Sequence, residues 1–365
     1  MKKIIGIVLA AILLCGCSGE NHQNNIVNEV TQVVQEGDYA AILPYHESSA
    51  RMKHALTSTS LDGSYAIGVG LMEYSKEYFS SDDHTYSEGV FLSYDALDAF
   101  EDQQGLLGRT SETNPNGLNP AVGTKIDTDA GVKKITASDV MLLDIHELDW
   151  YKHQELAGIS IAVILNDEIG DSEQPFIVTN EKLKAFGEES GRKIVSYLRK
   201  TYPEIGKKTP IYVTLFKESS YNNKMPGIFI ADAYFASGTI GEFSSINEDW
   251  AIFPGSKAST LDNLTAVSFE RFVEGLSDFS SLNTSIVGMG HFKDGLLDTL
   301  SIDISIYAKT WAETNAMIQK ITADLELFTS QEMEIKVTLR SDDILIAALK
   351  REKGTNDVSV ITLAN

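Results

Sequence analysis

A chain of 365 residues, 43% of them hydrophobic, is long enough to bury a large core and to form about two domains. Its 52 acidic and 30 basic residues give a net charge of −22, which repels nucleic-acid phosphates and argues against a nucleic-acid partner. Its two cysteines are Cys15 and Cys17, so the sequence beyond residue 17 offers no disulfide, no cysteine-ligated zinc site and no thiol nucleophile.

The first predicted element is a secretory signal peptide, residues 1–16. Lys2 and Lys3 provide its positively charged start, and an apolar run follows at residues 4–14. That run is shorter than the ~20 apolar residues that cross a bilayer as a helix. A permanent transmembrane anchor is therefore disfavoured.

The end of the signal peptide resembles the lipobox of bacterial lipoproteins. Leu14, Cys15 and Gly16 stand where the lipoprotein signal peptidase recognises its substrate, and Cys17 is the predicted site of lipid attachment. A metal or redox pair is disfavoured because Cys15 lies within the apolar segment, and a plain cleaved signal peptide is the alternative. We therefore predict that the lipid on Cys17 anchors the protein to the extracellular face of the cell membrane. The lack of disulfides favours a Gram-positive-type bacterium, which has no oxidising periplasm.

The chain after the lipid site begins with a polar segment and then repeats itself. Residues 17–40 are rich in Asn, Gln and Glu and are predicted to form a tether. Beyond them, an amphipathic helix that reaches Phe-Ser-Ser is followed by Gly-x-Phe at two places. The first copy contains Phe79 and Gly89, and the second contains Phe279 and Gly290.

Each half continues with the same order of predicted elements, a strand, a helix and two further strands. These sets cover residues 156–238 and 297–354. Because the helix must bury its apolar stripe on a sheet, we predict an α+β fold of two related repeats with mostly antiparallel sheets. The predicted units are a first repeat at 41–238 with a loop-rich insertion near 93–155, a connector at 239–263 and a second repeat at 264–365.

Three short motifs suggest chemistry, but each lacks a residue that the chemistry requires. In residues 144–153, His146 and Glu147 are followed by Trp150 where a zinc-binding H-E-x-x-H needs its second histidine, so we expect a charged helix end. Residues 127–131 lack the later ligands of a calcium loop. Residues 187–191 have the wrong spacing for a nucleophile elbow and are expected to break a helix. We predict no catalytic residue, no metal site and no cofactor, and hence a protein that is not an enzyme.

The segment 44–51 gathers side chains that could bind a ligand. Tyr45 and Arg51 are the candidate ligand-binding residues, because an aromatic face and a fixed cation suit a glycan or the end of a peptide. The structural alternative is that Arg51 pins this first loop to the rest of the chain. A rival hypothesis places an envelope hydrolase for peptidoglycan or peptide at His46 and Glu47 or in the insertion loop, although Ser and His so close in sequence rarely form a triad.

Five segments, taken in order, resemble the CamS family of sex-pheromone lipoproteins: residues 43–55, 70–92, 117–123, 225–238 and 287–306. The resemblance implies a surface lipoprotein whose signal segment is trimmed to a short apolar signalling peptide, which would be residues 10–16 here. Cys15 departs from the usual pattern because it makes that peptide oxidisable. The family implies no catalytic residues, and we predict that the folded body binds an envelope ligand or protein.

Overall fold

The computed structural model describes residues 37–54, 61–98, 105–171, 173–219, 225–279, 284–307, 310–341 and 344–363. The predicted signal peptide, the lipidation site Cys17 and most of the tether lie outside these residues. In the parts of the chain that are described, no helix is both long enough and apolar enough to cross a membrane. The predicted unit boundaries stay predictions.

Helices and strands alternate along the chain. The helices are α1 Ser49–His54, α2 Leu61–Ser75, α3 Tyr94–Leu97, α4 Asn180–Thr201, α5 Ser256–Leu261, α6 Asn263–Phe279 and α7 Trp311–Asp324. The strands are β1 Ala40–Ala41, β2 Thr85–Glu88, β3 Lys125–Thr128, β4 Gly131–Lys134, β5 Leu142–Lys152, β6 Glu155–Leu165, β7 Glu168–Asp171, β8 Gln174–Ile177, β9 Ile211–Lys217, β10 Ile228–Phe235, β11 Ser244–Ser245, β12 Glu248–Phe253, β13 Thr284–Lys293, β14 Leu296–Ile306, β15 Glu334–Ser341, β16 Ile344–Arg351 and β17 Val358–Thr362.

The first half of the chain forms a seven-stranded sheet in the order β1-β2-β5-β6-β9-β10-β11. β5 and β6 form an antiparallel hairpin, and α4 then carries the chain to β9, which lies parallel to β6. β10 returns antiparallel to β9. A parallel neighbour needs a long crossover connection, and α4 provides it.

The second half forms a six-stranded sheet in the order β12-β13-β14-β15-β16-β17. Here β13 and β14 form the hairpin, α7 is the crossover, β15 lies parallel to β14 and β16 returns antiparallel. The predicted α+β fold with two related strand-helix-strand-strand units is therefore confirmed. Each unit is mostly antiparallel, and its one parallel pair lies where the helix crosses over.

The hairpins that open the two units also share a turn geometry. β5 turns into β6 at His153 and Gln154, whose φ angles are 51° and 68°. β13 turns into β14 at Asp294 and Gly295, with φ angles of 51° and 78°. Positive φ at both central residues gives a turn whose twist matches that of the strands. The shared turn supports the relation between the two units.

The motif match that suggested the repeat does not join equivalent elements. Gly290 lies within β13, whereas Gly89 follows β2. The buried side chains of α2 pack with Tyr212 on one face of the first sheet, and those of α4 pack with Val213 on the opposite face. By contrast, α6 and α7 pack together on one face of the second sheet. The structural equivalence therefore begins at β5 and β13, not at the helices that precede them.

Two local expectations are also wrong. Most of 144–153 belongs to the interior strand β5 and not to a helix end, and it lies inside the segment that we predicted as a loop-rich insertion. α4 runs unbroken past Gly187 and Gly191. The glycines let the helix approach the sheet, since a Cβ on Gly187 would come within 2.6 Å of the Leu165 side chain.

Candidate functional site

Arg51, a predicted ligand-binding residue, is held in an ion pair at the start of the first sheet. Its guanidinium donates to both carboxylate oxygens of Asp144 on β5, at 2.6 and 2.7 Å, and to the carbonyl of Ile145 at 3.2 Å. Both side chains of the ion pair are largely buried. Bidentate pairing of this kind fixes the geometry of α1 against β5. The structure thus places Arg51 in the pinning role that was its structural alternative.

Tyr45 lies in the loop just before α1 and has different neighbours from Arg51. Its side chain is 41% exposed, and its ring contacts Tyr86 edge-on at a centroid distance of 6.2 Å. Burial and the nearby charge of Glu88 raise the pKa of the Tyr45 hydroxyl to about 12, so the group stays protonated at neutral pH. Tyr45 and Arg51 contact different groups, and the binding roles of both stay predictions.

The residues of the rival hydrolase hypothesis, His46 and Glu47, lie between Tyr45 and Arg51 in sequence. His46 exchanges two hydrogen bonds with Ser87: its backbone N–H donates to the hydroxyl at 2.9 Å, and its carbonyl accepts from the same hydroxyl at 2.8 Å. The imidazole ring packs edge-on against Tyr151 at 6.1 Å. Among the described residues, its buried Nδ1 has no hydrogen-bond partner. Glu47 is exposed. The serines beside His46 in sequence both accept backbone N–H groups, Ser48 from Arg51 at 3.3 Å and Ser49 from Tyr94 at 3.2 Å, and so serve the local fold.

A pair of buried carboxyl groups, Glu147 and Asp149 on β5, lies close to this loop and was missed in the sequence. Glu147 Oε2 accepts the backbone N–H of Leu92 at 2.7 Å, and Asp149 Oδ2 accepts that of Val90 at 3.1 Å. The backbone passes so near that a Cβ on Gly89 would lie 2.0 Å from Glu147 Cγ. The carboxyl pair therefore holds residues 89–92 against the sheet.

The environment of this pair favours its protonated forms. Burial raises the pKa of Glu147 to about 7. Burial and the neighbouring Glu147 raise the pKa of Asp149 well above its usual value. One proton shared between two buried carboxyl groups removes the repulsion of two charges. Because Glu147 is 7% exposed and Asp149 is fully buried, the pair can store a proton but does not face a substrate. The polar-apolar alternation of residues 147–150 was the signal that could have identified this strand.

A second candidate region is a group of tyrosines near the C-terminal end of α2, which we call the tyrosine cleft: Glu77, Tyr78, Tyr212, Asp232, Tyr234 and residues 236–240. The Tyr78 ring stacks on Tyr234 with a centroid distance of 4.2 Å and an interplanar angle of 7°. It also contacts the ring of Tyr212 at 4.9 Å. Tyr234 and residues 236–240 line an open cavity of about 570 Å³.

Two carboxylates accompany these rings. The buried Tyr212 hydroxyl donates to Asp232 at 2.8 Å. Burial raises the pKa of Asp232, with a further contribution from the charge of Glu77 and an opposing one from the Tyr212 hydrogen bond. Burial and the charges of Glu77 and Asp232 raise the pKa of Tyr78 to about 12. Among the described residues, neither carboxylate forms an ion pair with a cation.

A smaller cavity of about 250 Å³ lies in the insertion, beside Arg109 and Asn119. Arg109 donates to the carbonyls of Pro120, Ala137 and Asp139. The Asn119 amide donates to the carbonyls of Leu107 and Leu142 and accepts the N–H groups of residues 141 and 142. These polar groups are used to fold the insertion, so the cavity is structural.

No group of three or more His, Cys, Asp or Glu side chains in the described ranges is arranged to hold a metal ion.

Comparisons with known proteins agree on one family. Residues 45–357 match the family described as "CamS sex pheromone cAM373 precursor". No curated protein matches the sequence. The fold is similar to a crystal structure of a sex pheromone precursor from Lactobacillus salivarius subsp. salivarius UCC118, with 21% identity, 92% of this chain and 98% of that chain covered, and a TM-score of 0.79.

A second solved structure shows the same fold. The C-terminal domain of the sex pheromone staph-cAM373 precursor from Staphylococcus aureus is 23% identical over 84% of this chain and 98% of that chain, with a TM-score of 0.68. The family match covers most of the chain and confirms the resemblance seen in the five sequence segments. The chain therefore belongs to the CamS family of sex pheromone precursors.

Proposed function

We propose that the protein is a lipid-anchored precursor on the extracellular face of the membrane of a Gram-positive-type bacterium. Signal peptidase cleaves before Cys17, acyl chains on Cys17 hold the chain, and the leader is trimmed to the apolar signalling peptide at residues 10–16. The observation that carries the proposal is the family match over residues 45–357. The arrangement of Leu14, Cys15 and Gly16 before Cys17 supports the cleavage site.

The physics of the anchor supports the same arrangement. Each buried methylene of an acyl chain contributes about 0.8 kcal/mol, and a chain with two or more acyl groups is retained stably. The net charge of −22 repels anionic lipid headgroups, so the folded body stands off the surface at the end of its polar tether.

The anchor is tested by labelling cells with palmitate while they express the full chain. We expect the label on the wild type and on Cys15→Ser, and no label on Cys17→Ser. The Cys17→Ser chain should also move from the membrane fraction to the medium. Label that persists on Cys17→Ser, or that is lost equally from Cys15→Ser, would contradict the assignment.

The signalling peptide is tested by mass spectrometry of the culture medium. We expect a mass that corresponds to residues 10–16, together with oxidised forms that involve the Cys15 thiol. Conversion of Cys15 to serine should remove the oxidised forms and leave the peptide detectable. A medium in which only longer or shorter leader fragments occur would contradict the trimming step.

For the folded body we propose binding of an envelope ligand or protein without enzymatic activity. The open, aromatic tyrosine cleft supports a binding role. The hydrolase hypothesis has less support, because the His46 ring packs on Tyr151 and the nearby hydroxyls of Ser48 and Ser49 accept backbone N–H groups. Activity on purified cell wall that is lost in His46→Ala would favour the hydrolase instead.

A further inference from the structure

We propose that the tyrosine cleft binds a basic peptide segment of an extracytoplasmic partner protein, with a Lys or Arg side chain placed against the Tyr234 ring and beside Glu77 and Asp232. This inference rests on the proposed function only in placing the folded body outside the cell. It does not depend on lipidation or on release of the signalling peptide.

The first support is the construction of the cleft from three separate elements. Tyr234 comes from β10, Tyr212 from β9 and Tyr78 from the turn after α2. Tyr212 is fully buried, its ring contacts that of Tyr78, and it is the cross-strand neighbour of Tyr234. The rings of Tyr78 and Tyr234 are half-exposed. Stacked and hydrogen-bonded rings lose little conformational freedom on binding, so they form a preorganised surface. Aromatic faces attract ammonium and guanidinium groups within about 6 Å.

The second support is the pattern of charge. Glu73, one helical turn before Glu77, is paired with Lys76 at 2.7 Å. Neither Glu77 nor Asp232 forms an ion pair with a cation in the described part of the chain. The Asp232 carboxylate accepts the neutral Tyr212 hydroxyl at 2.8 Å, and the charge of Glu77 repels its own. A cation from a binding partner would relieve that repulsion, which neither a neutral glycan nor an acidic peptide can do. The Arg199 guanidinium near the cavity wall is already engaged with the backbone, where it donates to the Gly238 carbonyl at 2.6 Å. The two carboxylates beside Tyr234 therefore favour a basic occupant.

The third support is the cavity next to the rings. Residues 236–240 form its wall, and the side chain of Ile240 is 90% exposed. An isoleucine so exposed beside an aromatic pair offers apolar contact for the stem of a long basic side chain. The cavity thus joins an apolar wall to the Tyr234 ring, and the two carboxylates lie beside that ring: Asp232 two residues before it on the same face of β10, and Glu77 next to the stacked Tyr78.

The test uses the full chain, purified in detergent micelles, and calorimetric titration with hexalysine at physiological salt. We expect Tyr234→Leu and Asp232→Asn each to weaken hexalysine binding about tenfold. Asp232→Asn keeps an acceptor for the Tyr212 hydroxyl, so this variant decides the question if Tyr234→Leu does not fold. Hexaglutamate should not bind to any of the proteins.

Matched controls separate the cleft from the overall negative charge. Tyr307→Leu removes an exposed tyrosine elsewhere, and Glu332→Gln removes an exposed acidic group elsewhere. We expect both to bind hexalysine as the wild type does. Equal binding by all variants, or equal weakening in cleft and control variants, would overturn the site. Preferential binding of chitohexaose with the same dependence on Tyr234 would overturn the peptide assignment.

Failure of this inference is distinguishable from failure of the proposed function. Palmitate label that persists on Cys17→Ser would overturn the anchor, whereas hexalysine binding would stay unchanged. Conversely, unchanged hexalysine binding in Tyr234→Leu and Asp232→Asn would overturn the cleft while palmitate labelling stays unchanged.

Discussion

The carboxyl groups of Glu147 and Asp149 connect a local hydrogen-bond pattern to the stability of the whole chain. A buried carboxyl whose pKa is raised binds a proton more tightly in the folded state than in the unfolded state. Stability from this source is fully present at low pH and is lost as the pH rises from the unfolded value of about 4.5 to the folded value. For Glu147 this pH range ends at the folded-state pKa of about 7.

We expect Glu147→Gln to reduce the pH dependence of stability. The wild type should lose roughly 2 kcal/mol of unfolding free energy at this site between pH 5 and pH 7.5, and the variant should lose less. Glutamine keeps an acceptor for the Leu92 N–H and offers a donor to Asp149, so the backbone of 89–92 stays held. The measurement is urea unfolding at several pH values.

The matched control for this prediction is Glu332→Gln, which changes an exposed carboxyl group. It should follow the pH profile of the wild type. If Glu147→Gln and Glu332→Gln have the same slope with pH, the carboxyl pair does not store a proton and the prediction is wrong.

Contacts between residues far apart in sequence could not be predicted from the sequence. The loop around Arg51 was correctly recognised as a place where a cation could pin the chain, but Asp144 lies 93 residues away. Nothing in the sequence near Arg51 specifies that partner. The same holds for Tyr212 and Asp232, which meet only because β9 and β10 are adjacent strands.

At the scale of elements, periodicity predicted the two strand-helix-strand-strand units because each element alternates or repeats over its full length. It could not predict which sheet face a helix would cover. α2 and α6 both carry an apolar stripe, yet α2 packs opposite α4 whereas α6 packs beside α7. An apolar stripe specifies that a helix face is buried but not which partner buries it.

The prediction of a helix end at 144–153 was wrong for a related reason. The buried acidic residues of this segment resemble a solvated helix end in composition, although the alternation of Glu147 and Asp149 with Leu148 and Trp150 is that of a strand. Buried carboxyl groups are rare enough that composition favours the surface. Composition therefore favoured neither the strand nor a pair of buried carboxyl groups.

The crossover helices provide a matched test of capping. At α7, the Thr310 hydroxyl accepts the N–H of Glu313, whose side chain accepts the Thr310 N–H in return. At α4, Thr179 occupies the same position without a side-chain capping bond. We expect Thr310→Ala to cost about 1 kcal/mol of unfolding free energy and Thr179→Ala to cost less. Thermal and urea unfolding measure both, and equal losses in the two variants would show that the capping box adds nothing.

At the scale of the whole molecule, the two halves meet at Glu248, the first residue of β12. Its carboxylate accepts the Tyr74 hydroxyl at 2.6 Å and the Phe229 N–H at 2.8 Å, both from the first half. It also lies 3.4 Å from His291 Nε2 on β13. Burial alone would raise the pKa of Glu248, but the neighbouring His291 and the hydrogen bonds from Tyr74 and Phe229 hold it below the usual value. Stability from this group is therefore present at neutral pH and is lost as the pH falls.

The ring of Trp250 extends the same junction. It stacks on His291 at 4.2 Å, and its Nε1–H donates to the Gly227 carbonyl at 3.1 Å. The junction is thus built from polar groups whose partners lie in opposite halves. Removing the central acceptor leaves buried donors without partners, which costs about 1–3 kcal/mol for each.

We therefore expect Glu248→Ala to lower the unfolding free energy by about 2–4 kcal/mol at neutral pH. The loss should stay constant down to about pH 4.5 and shrink only below it, as the pH falls through the lowered pKa of Glu248 and the wild type also loses the carboxylate. Because the halves would then be joined by fewer contacts, their urea transitions should separate when followed by tryptophan fluorescence and by circular dichroism. Glu332→Ala, which removes an exposed carboxylate of the second half, should stay within about 0.5 kcal/mol of the wild type and keep coincident transitions. Coincident transitions and a loss below about 1 kcal/mol in Glu248→Ala would show that the halves are coupled elsewhere.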